Sequence, residues 1–273
     1  MITKDWLLDA VLYVYVLSLL FYAQAAASSN RSAMKMGTGL LGLVWLMQTG
    51  FVIALLVRQS HHLHLTTKDF LFVVSWLLVL FSLWLGYRMR ANLVVLIINV
   101  VGFAVLALNL LDKPQTGLGL PAQEPVTGML FLHVTLMMAA FSLLSVAAIL
   151  SGIYVYMHLK LKRKVWSPAI SRLPGLETLE RYIFRSGAIG VPLLLLSLST
   201  GTAALLASGM PHLMWGAKGT ISTAAGIFYI MYLIRRSASR DDGKRLAYWH
   251  LLGYATLVAA LCANLFSAFQ PWI

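Results

Sequence analysis

Residues 129–156 run for 28 positions without a formal charge. Roughly 20 apolar residues in a helix suffice to cross a bilayer, so the run is longer than a span requires and too uniform for the core helix of a soluble domain. Hydrocarbon offers backbone N–H and C=O groups no water, so the run must close its hydrogen bonds internally, as an α-helix. Its head, Phe131-Leu132-His133-Val134-Thr135, places an imidazole at one mouth of the span. An ionisable side chain there is a candidate functional site. The plain competing reading is an interfacial histidine bonded to headgroups or to a neighbouring loop.

The rest of the chain has the same character. Sixty per cent of its 273 residues are hydrophobic and 11% are charged, against about 25% charged in soluble domains, and mean hydropathy is +0.80. This predicts an all-α, polytopic integral membrane protein, a single transmembrane domain over residues 1–273 with no room for a separate soluble one. The one cysteine, Cys262, lies in an apolar run, which excludes an intramolecular disulfide and a cysteine metal site. The start carries Asp5 and Asp9 before a long apolar run, unlike a cleavable signal peptide.

Eight spans are expected, at about 6–27, 37–57, 69–87, 91–111, 129–158, 186–208, 217–234 and 246–268. Alternate connections hold 16 of the 21 Lys and Arg residues, with 5 on the other side. The positive-inside rule puts the 16 in the cytoplasm and both termini outside. The net charge of +12 is therefore a topology signal, and nucleic acid is not an expected partner. The inner 5–6 connection, Leu-Pro-Gly-Leu-Glu-Thr-Leu-Glu-Arg-Tyr-Ile-Phe-Arg (173–185), puts Leu176, Leu179, Tyr182 and Ile183 on one helical face, with Glu177, Glu180 and Arg181 off it. This predicts a short interfacial helix on the inner leaflet, with partner docking as its rival. The outer loop 112–128, rich in Pro and Gly, is expected to be irregular.

Small residues (Gly37, Gly39, Gly42, Gly201, Ala204, 224–226, Ala255, Ala259, Ala263) suit close helix approach, and Gln48, Asn99 and Asn264 are expected to bond between helices. Pro192 is expected to kink its span.

The seven histidines sort by side. His61, His62, His64, His133 and His212 fall at the outer face, while His158 and His250 fall near the inner face. The last two read most simply as interfacial, and the three loop histidines as solvated. A rise of 1.5 Å per residue separates His133 from His158 by roughly 37 Å, so they cannot share a ligand. Carboxylates are scarce in the spans, which argues against a proton or cation relay. Neutral imidazole is a good axial ligand for haem iron in an apolar slot, and the outer ends are rich in Met and aromatic residues.

Four stretches carry a family resemblance. They are LHVTLMMAAFSLLSVAAILSGIYVYM, led by His133; LPGLETLERYIFRSGAIGVPLLLLSLSTG (173–201); HLMWGAKGTIS (212–222); and ANLFSAFQPW (263–272). Over roughly 128–272 the chain resembles the CcsA-type cytochrome c assembly family, most closely its HemX-like branch. In the haem-handling members a tryptophan-rich outer segment ending Trp-Asp-Pro-Lys lies against haem, between two outer histidines. Here Trp215 and Lys218 remain of that ending, with Gly216 and Ala217 between them. His133 corresponds to the first outer histidine. Gln270, a poor iron ligand, stands at the second, and Ile234 stands near the intramembrane histidine of haem exporters.

The resemblance implies a non-enzymatic, multi-pass protein of the bacterial plasma membrane that acts in haem and cytochrome c biogenesis. It implies haem at the outer face on His133, with His212, Trp215 and Gln270 as weaker candidates and His158 and His250 as weak inner-face ones. The HemX-like branch further implies control of tetrapyrrole synthesis through the level of glutamyl-tRNA reductase, by way of the basic 160–185 loop. The expected partners are the bilayer, haem, and either a cytoplasmic haem-biosynthesis enzyme or a cytochrome c assembly subunit. The alternatives are a haem-handling subunit of a cytochrome c synthetase and, from another class, a small-molecule transporter.

Overall fold

The computed structural model describes residues 6–28, 30–59, 66–89, 91–110, 124–164, 170–209, 211–238 and 242–269. Among these the chain forms eight long α-helices: α1 (Trp6–Ser28), α2 (Arg31–Gln59), α3 (Thr67–Met89), α4 (Asn92–Ala107), α5 (Glu124–Lys162), α6 (Leu176–Ala207), α7 (Ala217–Ser237) and α8 (Gly243–Phe269). Three short 3-10 turns accompany them (Leu108–Leu110, Ile170–Arg172, Pro211–Trp215), and the described residues include no strand. Seven of the helices are long and apolar enough to cross a membrane. The exception is α7, where Thr220, Ser222 and Thr223 near one end and Arg235 and Arg236 at the other dilute the apolar stretch.

Most helices overrun the apolar runs that announce them. Helix α5 has 39 residues, about 58 Å at 1.5 Å per residue, against a hydrocarbon thickness of about 30 Å. Polar ends continue a helix beyond hydrocarbon wherever no breaker stops it. Caps fix some starts: Asn30 Oδ1 accepts the Ser32 N–H (2.9 Å) ahead of α2. At α3, Thr66 and Asp69 satisfy each other's backbone N–H (2.9 and 3.2 Å) as a capping box.

The helices cluster as two compact units. The first is built on α1–α4, each packed on its chain neighbour, with α1 also against α4. Its core includes Val11, Tyr15, Leu41, Val44, Phe72, Val79 and Val95. Buried polar groups tie the helices together. The Tyr15 hydroxyl donates to Asn99 Oδ1 (3.0 Å), and Asn99 Nδ2 donates to Ser82 Oγ (2.8 Å), which joins α1, α4 and α3. Gln48 Nε2 donates to Ser75 Oγ (3.3 Å), which donates to the Gly102 carbonyl (3.0 Å). The expected interhelical bonds of Gln48 and Asn99 are thus present, each worth about 0.6 kcal/mol and up to about 1.7. The side chain of Asn264 lies outside the described residues. At Gly102 a Cβ would come within 2.6 Å of the Tyr15 hydroxyl, and at Gly37 within 3.1 Å of the Tyr22 ring. Gly39 and Gly42 meet nothing within 4 Å, so those two are not packing glycines within the unit.

The second unit is built on α5–α8, again with sequential neighbours packed and α8 against α5. Here the expected interfacial helix over 173–185 is corrected. Helix α6 is continuous from Leu176, through Pro192, to Ala207, so the segment forms its first turns. Leu179, Tyr182 and Ile183 are buried in protein rather than laid on a leaflet. Glu180 reaches Arg236 of α7 (Nη1 to Oε1, 2.5 Å), and Glu177 and Arg181 face outward as an i,i+4 pair. Within α5, Ser142, Ser145 and Ser151 donate to the carbonyls four residues earlier, which satisfies them in place.

Candidate functional site

His133 lies in the third turn of α5, partly buried. Its ring turns toward α6, where Nδ1 stands 2.6 Å from the Ser197 carbonyl oxygen and 3.0 Å from Ser197 Oγ. A carbonyl only accepts, so Nδ1 must carry the proton and donate it. The Ser197 hydroxyl in turn donates to the His133 carbonyl (3.0 Å). Thr200 Oγ1 donates to the same Ser197 carbonyl (2.9 Å). One residue fixes both ends of the contact.

The approach depends on Gly201. A Cβ there would lie 2.8 Å from Nδ1 and 2.9 Å from Cε1 of His133, so any side chain would push the imidazole off α6. With Nδ1 protonated, Nε2 is the bare nitrogen, and it makes no hydrogen bond among the described residues. An Nδ1–H donated to a backbone carbonyl is the arrangement that fixes tautomer and ring direction in metal-ligating histidines. The donor chemistry therefore fits an axial ligand to haem iron.

The other candidates are placed as follows. His212 and Trp215 sit in the Pro211–Trp215 turn after α6, both exposed; Trp215 is 83% exposed. Neither makes a hydrogen bond or ring contact with His133 among the described residues. Gln270, His61, His62 and His64 lie outside the described residues, as does the side chain of Lys218. His158 stacks on Tyr154 near the end of α5, ring centroids 6.3 Å apart. Among the described residues no three His, Cys, Asp or Glu side chains lie close enough to hold a metal ion.

His250 departs from its expected interfacial place. It is fully buried, two turns into α8, edge-on to Tyr229 (5.3 Å) and Tyr232 (5.2 Å) of α7. Among the described residues neither ring nitrogen has a hydrogen-bond partner, nor does the Tyr229 hydroxyl. Close by in sequence, Tyr254 bonds Ser145 of α5 (2.7 Å). Sequence reasoning missed Ser197 and counted Gly201 only as a packing residue. A glycine toward the end of one span and a histidine toward the start of the preceding span were the available signal.

The family model described as Cytochrome C assembly protein matches residues 64–268. "Protein HemX" of Brevibacillus brevis is 32% identical over 268 residues, covering 98% of each chain. "Protein HemX" of Bacillus subtilis (strain 168) is 28% identical over 251 residues, 92% of this chain and 91% of that one. "Cytochrome c biogenesis protein CcsA" of Guillardia theta is 22% identical over 205 residues, 68% of each. No solved structure matches the chain significantly. Seven helices able to cross a membrane, the matched family model and two HemX relatives aligned over nearly their whole length lead to one conclusion: this is a multi-pass membrane protein that belongs to the cytochrome c assembly family, in its HemX-like branch.

Proposed function

We propose that the protein is a non-enzymatic, HemX-like component of haem and cytochrome c biogenesis in a bacterial plasma membrane, and that it takes haem on Nε2 of His133. The observation that carries this is the Nδ1–H donated to the Ser197 carbonyl at 2.6 Å, which leaves Nε2 as an unprotonated donor held in a fixed direction. Ser197 orients the ring and Gly201 admits it. Bound haem would supply redox-active iron at that end of the unit. On this reading all eight helices cross the bilayer, both termini are extracytoplasmic and the His133 end faces outward; the one-sided distribution of Lys and Arg supports it. His212 is the candidate opposite ligand, and the basic 160–185 segment is the surface for a cytoplasmic enzyme of tetrapyrrole synthesis.

The test is spectroscopic. Protein purified from haem-replete cells should show a Soret band that His133→Ala weakens strongly and His212→Ala weakens less. A colourless protein that takes up no added haem defeats the haem reading. The regulatory reading is checked by the cellular level of glutamyl-tRNA reductase on deletion of the gene. An unchanged level rejects it.

A further inference from the structure

A groove of about 440 Å³ runs between α6 and α7 on the second unit, within the roughly 300–1,000 Å³ of small-ligand sites. Phe184 and Ala188 of α6 and Leu233 and Ile234 of α7 line its apolar length, with Arg236 and Ser237 at one end. Phe184 and Ile234 are 40% and 56% exposed, so the slot opens on the outer surface of the unit. Its polar end is well defined. The Arg236 guanidinium lies over the Phe184 ring, 5.1 Å from the centroid, and one of its nitrogens holds Glu180 at 2.5 Å. Its remaining N–H groups make no hydrogen bond among the described residues.

Charge at this end of the unit is one-sided. The described ends of α5 and α7 and starts of α6 and α8 carry ten Lys and Arg residues against Glu177, Glu180 and Asp242. Several sit over aromatic faces: Arg235 on Trp249 (4.6 Å), Arg185 on Tyr182 (5.9 Å) and Lys244 on Tyr248 (5.9 Å). Aromatic rings capped by cations are the side chains of a headgroup layer. An apolar slot between two membrane helices that ends in arginine at the headgroup level matches an anionic phospholipid, acyl chain in the slot and phosphate on the guanidinium.

We propose that the α6–α7 groove is a specific site for one anionic phospholipid of the leaflet at the basic end of the unit. The phosphate lies on Arg236 and Ser237, and an acyl chain lies along Phe184, Ala188, Leu233 and Ile234. The proposal does not depend on haem binding.

The test uses the full chain in detergent and in nanodiscs. Native mass spectrometry should find one phosphatidylglycerol retained per chain in preference to phosphatidylcholine. Nanodiscs of phosphatidylcholine with added phosphatidylglycerol should raise the unfolding temperature above that in phosphatidylcholine alone. Soluble glycerol phosphate should give no such rise, since it has no chain to fill the slot. Arg236→Gln should reduce retention about fivefold, the value of one interfacial cation. Ile234→Trp, which fills the slot and keeps every charge, should abolish it, and it decides the matter should the Arg236 variant fold poorly. Equal retention of the two lipids by the wild type, retention unchanged in Ile234→Trp, or equal stabilisation by glycerol phosphate overturns the proposal.

Discussion

Replacing Gly201 by alanine puts the His133 contact under direct strain. The new Cβ would stand 2.8 Å from Nδ1 and 2.9 Å from Cε1, where optimal separations are about 3.5–4.0 Å. The ring must therefore retreat by roughly 0.7–1 Å, stretching the 2.6 Å bond to Ser197 to about 3.3–3.6 Å, beyond the usual hydrogen-bond range. The lost bond costs about 1 kcal/mol at intramembrane values. Overpacking adds about 1–3 kcal/mol, while better helix propensity returns about 1 kcal/mol. The net is a destabilisation of about 1–3 kcal/mol. Gly152, also helical, meets nothing within 4 Å, so Gly152→Ala is the matched control and should be neutral or stabilising. Thermal unfolding in detergent gives the comparison. A double-mutant cycle isolates its cause, because in a His133→Ala background the Cβ at 201 has no ring to displace and its cost should vanish. If Gly201→Ala proves as stable as Gly152→Ala, or costs the same with and without His133, the packing argument is wrong.

Three further outcomes are expected. Asn99→Leu removes the bonds to Tyr15 and Ser82 and should destabilise by about 1–3 kcal/mol, read as a lower unfolding temperature; no change would mean that the network adds nothing to stability. Glu180→Gln breaks an ion pair whose side chains are 30% and 36% exposed and should cost at most about 1 kcal/mol by the same measurement. In a Cys262→Ser background, Arg163→Cys should resist a membrane-impermeant maleimide in intact cells while Met129→Cys reacts; the opposite labelling reverses the assigned orientation.

The fold was legible because hydropathy along a span is a one-dimensional property. Every long helix falls where an apolar run announces it, α7 included, although α7 is the least apolar. What a helix buries depends on its rotation about its axis, which the run does not record. The 173–185 stretch shows the difficulty. Leu179, Tyr182 and Ile183 form the same apolar face whether the segment lies on a leaflet or extends a bundle helix, and the choice rests on partners such as Arg236, 56 residues from Glu180. His133 and Ser197 are 64 residues apart, so the contact that sets the tautomer had no local trace. Gln48 and Asn99 could be read as interhelical bonders, since hydrocarbon leaves them no alternative, but the identity of their partners could not.

His250 gives the sharpest contrast between depth and rotation. Seven residues beyond Gly243 put it near the level where histidine commonly meets headgroups, yet the turn of α8 sets it between Tyr229 and Tyr232, with both nitrogens unpartnered among the described residues. A buried polar group without a partner costs about 1–3 kcal/mol. If the site is closed, His250→Phe should hold or raise the unfolding temperature, because the ring contacts survive and the orphaned nitrogens go. A marked loss of stability would mean that the imidazole satisfies a bound water or ligand. The same substitution therefore separates a tolerated core residue from a working one, which burial alone does not.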